Sequence, residues 1–164
     1  MPGPTSRIVL VTGAAGGIGS AMVASLLAAG HQIAALDYDA NGLDALLAAH
    51  GSHPNLHAIE VDLSTVQGCE AGIAAAVSHF GRVEVLVNNA GIGVSSLRPD
   101  AETRLPSLEE LSGPVWDRFF AINITAPMLL TRAAVPMMTA DNQAERAATI
   151  MMRKRHWGRT VGRA

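Results

Sequence analysis

The stretch "TGAAGGIG", Thr12 to Gly19, places four glycines in eight residues, between an apolar run at residues 8–11 and a helical pattern. Glycines at a strand-to-helix turn let the backbone approach a ligand closely, and the free N–H groups and dipole of the helix N-terminus favour an anion. A pyrophosphate is the expected guest. Asp37 sharpens this reading. It ends the second apolar run, where a carboxylate in a βαβ unit can accept hydrogen bonds from the hydroxyls of an adenosine ribose. That favours NAD over NADP: two unit charges about 4 Å apart cost roughly 4 kcal/mol at an effective dielectric of about 20. No lysine or arginine stands in the glycine loop or directly after Asp37 to offset a 2′-phosphate.

Outward from this loop, apolar β-branched runs alternate with helical patterns. "RIVLVTG" reads as strand one, and Ile18, Met22, Leu26 and Ala29 recur at helical spacing until Gly30. "HQIAALD" is strand two, followed by a helix through Leu43, Leu46 and Leu47 that stops at Gly51. "LHAIEVDL" is strand three. Ser64 with Gln67 makes a capping-box pattern ahead of a helix with the stripe Val66, Ile73, Val77 and Phe80, closed by Gly81. "VEVLVNNAG" is strand four. Parallel neighbours need right-handed crossovers, so the order implies α/β architecture: a Rossmann-like, three-layer, doubly wound parallel sheet, incomplete at about four to five strands.

The pattern then loosens. Residues 92–113 form a long connection of the kind that serves as a binding loop, with Ser107 and Glu110 placed to cap one short helical turn. Pro114 suits the first turn of a long helix through Trp116, Phe119, Phe120 and Ile124, and Pro127 is expected to kink it. A polar and then helical segment follows, "TADNQAERAATIMMRKRHWGR".

The 164 residues make a single domain, 1–164, of 49% hydrophobic and 16% charged composition, well suited to a packed core. A net charge of −2 gives no argument for nucleic acid. The cluster Arg153, Lys154, Arg155, Arg159 and Arg163 reads as a solvated basic tail. The sole cysteine, Cys69, excludes an intrachain disulfide and reads as core, consistent with a reducing, cytoplasmic setting. The start "MPGPTSR" lacks signal-peptide features, and the absence of an uninterrupted apolar run near 18 residues argues against a membrane span. The six histidines show no metal-ligand spacing and read as surface residues, and the sequon Asn123-Ile124-Thr125 reads as chance.

Thr12-Gly13 with Gly17 and Gly19 (T-G-x-x-x-G-x-G), Asp62-Leu63, "NNAG" at 88–91 and Asn123 in "WDRFFAIN" together resemble the short-chain dehydrogenase/reductase family, over about residues 6–138, with 139–164 a divergent basic tail. The glycines also fit the T-G-x-x-G-x-x-G spacing of the extended branch, but "NNAG" is similar to the ordinary single-domain branch. The resemblance implies NAD-dependent hydride transfer between nicotinamide and a small-molecule alcohol or carbonyl. It implies Thr12, Gly13, Gly17, Ile18 and Gly19 at the pyrophosphate, Asp37 at the adenosine ribose and Asp62 with Leu63 at the adenine. Asn88 is implied beside the nicotinamide-side ribose, with Asn89, Ala90 and Gly91 shaping the strand end. Asn123 matches the active-site Asn, whose helical backbone holds a water of the proton relay.

The family's pattern then breaks off. Its Ser and its Y-x-x-x-K have no match: the single tyrosine is Tyr38 and the single lysine Lys154. The resemblance therefore implies a C-terminally truncated, inactive member, in which the long helix of Asn123 offers only part of the usual homo-oligomer interface. A non-catalytic dinucleotide-binding module and a fragment without independent function are the alternative readings.

Overall fold

In strand β1 (Ile8–Thr12) every residue is buried, because both faces of the strand are covered. Val9 and Val11 point to one side, against Val23 and Leu27, while Leu10 points to the other, against Ala126 and Leu130. This period-2 division of a wholly apolar strand is what a parallel sheet between two helical layers requires. The computed structural model describes residues 6–93, 107–140 and 149–151.

Helix α1 (Gly17–Ala28) and helix α2 (Ala40–Ala49) cover one face. Helix α3 (Val66–Phe80) and helix α5 (Ala126–Ala140) cover the other. Strands β2 (Gln32–Asp37), β3 (Leu56–Glu60), β4 (Val85–Asn88) and β5 (Thr149–Met151) complete a five-stranded parallel sheet of order β3-β2-β1-β4-β5. The chain moves outward from β1 to β3, then returns to β4 on the other side of β1. Between β1 and β4 the direction of winding reverses, which opens a crevice beyond the strand ends.

Glycines terminate helices as their positions suggest: Gly30, Gly51 and Gly81 all have positive φ, and Gly81 is the left-handed cap of α3. Pro114 lies in the first turn of helix α4 (Gly113–Phe120), and Ser107 with Glu110 brackets a 3-10 turn over Leu108–Glu110 through a 2.8 Å bond from the Ser107 N–H to the Glu110 carboxylate.

Three expectations change. The expected capping box of Ser64 and Gln67 does not form: Thr65 is the N-cap of α3, its hydroxyl accepting from the Gly68 N–H at 2.9 Å. Ser64 is instead held one residue earlier, its N–H bonded to Asp62. The kink expected at Pro127 is replaced by a π-helical stretch, Ala121–Thr125, joining α4 to α5. Pro127 cannot donate to the Asn123 carbonyl four residues back, and the helix adapts by letting the Ala126 N–H reach Ala121, five residues back. Residues 149–151, expected helical, form β5, which pairs in parallel with β4 and satisfies backbone groups along that edge. The basic cluster Arg153–Arg163 and residues 94–106 of the long connection lie outside the described residues.

The continuous helix Gly113–Met138 is long and apolar enough by composition to cross a membrane. Its residues Ile122, Ala126, Leu130, Ala134 and Met138 are nonetheless buried at a spacing of four, and those from Ala126 onward belong to the core cluster that includes α3 and β4. It packs as a core helix. Its other side carries Trp116, Phe120, Ile124, Met128 and Val135 exposed, with the Trp116 and Phe120 rings 4.6 Å apart.

Candidate dinucleotide site

A cavity of about 380 Å³ opens beyond the C-terminal ends of β1 to β4. Its floor is the glycine loop. Gly13 has φ +65°, and a Cβ there would meet the Ala90 backbone at 2.9 Å; a Cβ on Gly19 would overlap the Gly13 carbonyl. These two glycines are demanded by the protein's own packing. A Cβ on Gly17 would meet nothing within 4 Å, although the residue lines the cavity. That position is open toward a ligand.

Helix α1 begins at Gly17 with Gly16 as N-cap, and no side chain caps it. The first N–H groups of a helix have no partner within it, so those of the opening turn stand at the cavity floor. Gly13, Gly17, Ile18 and Gly19 all line the cavity, as the sequence suggested, and Ile18 is exposed there. Thr12 does not. It is 1% exposed and binds the loop from beneath: its hydroxyl donates to Val87 O at 3.2 Å and accepts from the N–H groups of Asn89 and Ala90 at 3.1 and 3.0 Å.

Asp37 closes one side. Its Oδ2 accepts from the Ala15 N–H at 2.9 Å and its Oδ1 from the N–H groups of Tyr38 and Asp39 at 2.8 and 3.2 Å. The carboxylate is therefore fixed in place, facing the cavity with lone pairs left to accept from hydroxyls. Asp62 and Leu63 line the region beyond β3. The Ser64 N–H bonded to Asp62 Oδ1 at 2.9 Å holds the Asp62 carboxyl below its usual range, and the positive charge of Arg118 adds to this. Below the same wall Cys69 is buried as expected, donating to Leu63 O at 3.5 Å; burial pushes its thiol up.

The β4 end differs. Asn89, Ala90 and Gly91 line the cavity, but the Asn89 amide donates to Thr12 O and Gly13 O at 3.0 and 3.1 Å, fastening β4 to the glycine loop. Asn88 is absent from the lining. Its side chain is 5% exposed and donates to Thr131 on α5 at 3.2 Å, because alternation along β4 turns it into the helical layer. Any contact of Asn88 with a ribose is left to its backbone. Asn123 lies in the π stretch, its amide donating to Ile92 O and Phe119 O at 3.1 and 2.9 Å. Pro127 deprives the Asn123 carbonyl of its ordinary helical donor.

Several lining residues were not named from the sequence; most adjoin the motifs, such as Ala15, Asp39, Val61, Ile92 and Gly93, but two do not. Arg118 and Ile122, one turn apart at the α4 end, reach the cavity from a distant part of the chain. Only the i, i+4 spacing hinted that they share a face. Among the described residues no three histidines, cysteines or acids gather as for a metal ion. The histidines are not all at the surface, since His57 is partly buried and stacks on His79 with ring centroids 3.9 Å apart.

A sequence model described as short chain dehydrogenase matches residues 7–157. The chain belongs to the short-chain dehydrogenase family. The match runs past Met138, where the motif resemblance had ended. Similar proteins include D-threitol dehydrogenase of Mycolicibacterium smegmatis, 34% identical over 153 residues, which span 89% of this chain and 55% of that one. Another is 3beta-hydroxysteroid dehydrogenase 2 of Eggerthella lenta, 35% identical over 79% of this chain and 46% of its own. The chain spans about half the length of these relatives.

Among solved structures, a metagenomic short-chain oxidoreductase in complex with NADP superposes with a TM-score of 0.74 at 30% identity, over 88% of this chain and 61% of that one. A 3-ketoacyl-(acyl-carrier-protein) reductase from Brucella melitensis complexed with NADH gives 0.68 at 29%, over 80% and 50%. The short-chain dehydrogenase fold thus appears here with its Rossmann-like nucleotide crevice, and neighbours of that fold carry either nicotinamide dinucleotide.

Proposed function

We propose that this chain is the dinucleotide-binding part of an oxidoreductase that takes NAD in preference to NADP and acts on a small-molecule alcohol or carbonyl, and that these 164 residues by themselves bind the cofactor without turning substrate over. One observation carries the reading: the uncapped, open start of α1 and the backbone-fixed Asp37 carboxylate face the same cavity. The first supplies N–H donors to a pyrophosphate, the second acceptors to the ribose hydroxyls, and Asp62 with Leu63 borders the base.

When bound, the nicotinamide supplies the hydride acceptor or donor. A proton must also move at the substrate oxygen, and the residues present offer no Y-x-x-x-K to do it: Tyr38 lies at the adenosine end and is 70% exposed. Loss of a general acid costs about a hundred- to ten-thousandfold in rate. On this reading Asn123 holds a water of the proton relay, but it cannot replace that acid. The exposed ridge Trp116, Phe120, Ile124 and Met128 supports homo-oligomerisation along α4 and α5, and the buried lone Cys69 suits the reducing cytoplasm.

Calorimetric titration of the purified chain with NADH and NADPH, beside Asp37→Ala, tests the reading. Saturable NADH binding is expected, tighter than NADPH, with the difference narrowed in the variant. Absence of NADH binding would remove the proposal, and sustained NADH formation from a simple alcohol would remove its claim of inactivity.

A further inference from the structure

The charge around the cavity is unbalanced in a way the preceding reading leaves unexplained. Asp37, Asp39 and Asp62 all line it, and among its described lining residues Arg118 is the only lysine or arginine. A nicotinamide dinucleotide brings two further negative charges on its phosphates. The N-terminus of α1 answers these at the centre of the cavity, but its influence fades within the first turn and does not reach the wall beyond β3.

Arg118 stands at that wall. It comes from α4, lines the same cavity as Asp62 and Leu63, and is exposed. Ile122, one turn onward, reaches the cavity beside it, and Asn123 next in sequence bonds Ile92 just past β4. Arg118 thus shares the cavity wall with Asp62 and Leu63 beyond β3, and its charge acts on the Asp62 carboxyl there. If the pyrophosphate lies over α1 and the ribose against Asp37 at the end of β2, the base extends toward β3, the outermost strand there. That is the wall Arg118 overlooks. A guanidinium is planar, remains charged, stacks on aromatic rings and donates in several directions, so it suits the π-face and ring nitrogens of a purine better than a lysine would.

We propose that Arg118 is a cofactor-binding residue, its guanidinium closing the adenine end of the cavity from the α4 side and supplying the positive charge that the three carboxylates lack. This rests on the dinucleotide reading above and adds a contact from a part of the chain that the glycine-loop motif does not include. It also places a cation within the field of the adenosine end, so that NADP is disfavoured less than Asp37 alone would dictate.

The test is calorimetric titration of wild type, Arg118→Ala and Arg118→Lys with NADH and with 5′-AMP, which carries only the adenosine end, together with thermal melting without nucleotide. Arg118→Ala is expected to weaken both ligands by the same factor, about tenfold, a size typical of a partly desolvated cation over an aromatic ring. The melting temperature should stay unchanged. Arg118→Lys, which keeps the charge and the fold, should recover part of the affinity, and it serves as the decisive variant should the alanine form fail to fold. Unchanged affinity in the variants, or a lowered melting temperature with unchanged affinity, would reduce Arg118 to a neighbouring charge acting on Asp62 and overturn the proposal alone. A wild type that binds neither NADH nor 5′-AMP would overturn the dinucleotide reading and this contact with it.

Discussion

At the β1–β2 end of the cavity the groups lining it remain available, whereas at the β4 end the asparagine amide N–H groups are bonded to the protein itself. The start of α1 carries no side-chain cap, and Asp37 is oriented by three backbone N–H groups that leave it further lone pairs. By contrast Asn88, Asn89 and Asn123 give their amides to Thr131, to the glycine loop, and to Ile92 and Phe119. Asn88, expected beside a ribose, Asn89, expected to shape the strand end, and Asn123, expected in the active site, thus all fasten the protein through their amide N–H groups. On the proposed reading, one end of the crevice is the binding surface and the other is the frame that holds it in shape.

The largest effect is expected where the two ends touch. Gly19→Ala would drive a methyl into the Gly13 carbonyl and to 2.8 Å from Ala14 Cα. Backbone must then move, costing about 1–3 kcal/mol of stability, and NADH binding should disappear. Gly17→Ala is the control that isolates the ligand: its methyl meets no protein atom within 4 Å, so the melting temperature should hold while NADH weakens about tenfold, or about 1.4 kcal/mol. Equal effects of the two substitutions on melting would erase the distinction between a glycine required by packing and one required by the guest.

A smaller effect tests the frame. Thr12→Val keeps the shape but removes the hydroxyl that joins Val87 O to the N–H groups of Asn89 and Ala90. Asn89 N–H and Val87 O keep their 3.0 Å bond to each other, so the loss falls on the Ala90 N–H and should cost about 1 kcal/mol in denaturant unfolding. Thr12→Ser, which retains the hydroxyl, should cost clearly less. A valine variant as stable as wild type would show that the β4 end does not depend on this hydroxyl.

The same division explains what could be read from the sequence. The glycine loop, the four strands to Asn88, the helix-ending glycines and Asp37 are local: short spacing and period-2 or helical patterning determine them. The Thr65 cap shows the limit of local reading, since Ser64 and Thr65 are chemically alike and only the bond from Ser64 N–H to Asp62 decides which of them starts α3. Arg118, and the partner of Asn88 on α5, are set by how helices from residue 113 onward lie over the sheet. β5 likewise exists through pairing with β4 rather than through any strong pattern of its own. Long-range packing, not weak motifs, is what stayed hidden.

The smallest expected effect concerns pH, and it asks whether the adenosine end depends on the layer beneath it. His57 on β3 pairs in register with Ala34, on the face that α3 covers, and its ring stacks on His79 with Phe80 edge-on to both. His79 is the titratable group facing it from α3; Glu70 lies near the other end of that helix, and α2 with Asp44 packs on the opposite face. Burial first, and the nearby His79 second, lower the His57 pKa from 6.5. The unfolded chain then binds more protons than the folded one just below pH 6.5, so stability is greatest above that value, falls as the pH drops through it, and levels off below the folded pKa. Melting temperatures from pH 8 to 5 should show this fall, and His57→Phe should reduce it. Affinity for ADP-ribose should not follow, because Asp62 is held ionised by its bonds to Ser64 and its position comes from the loop rather than from the histidine stack. A parallel loss of affinity and stability between pH 7 and 5.5 would show the reverse, that the binding surface is only as firm as the packing of β3 on α3.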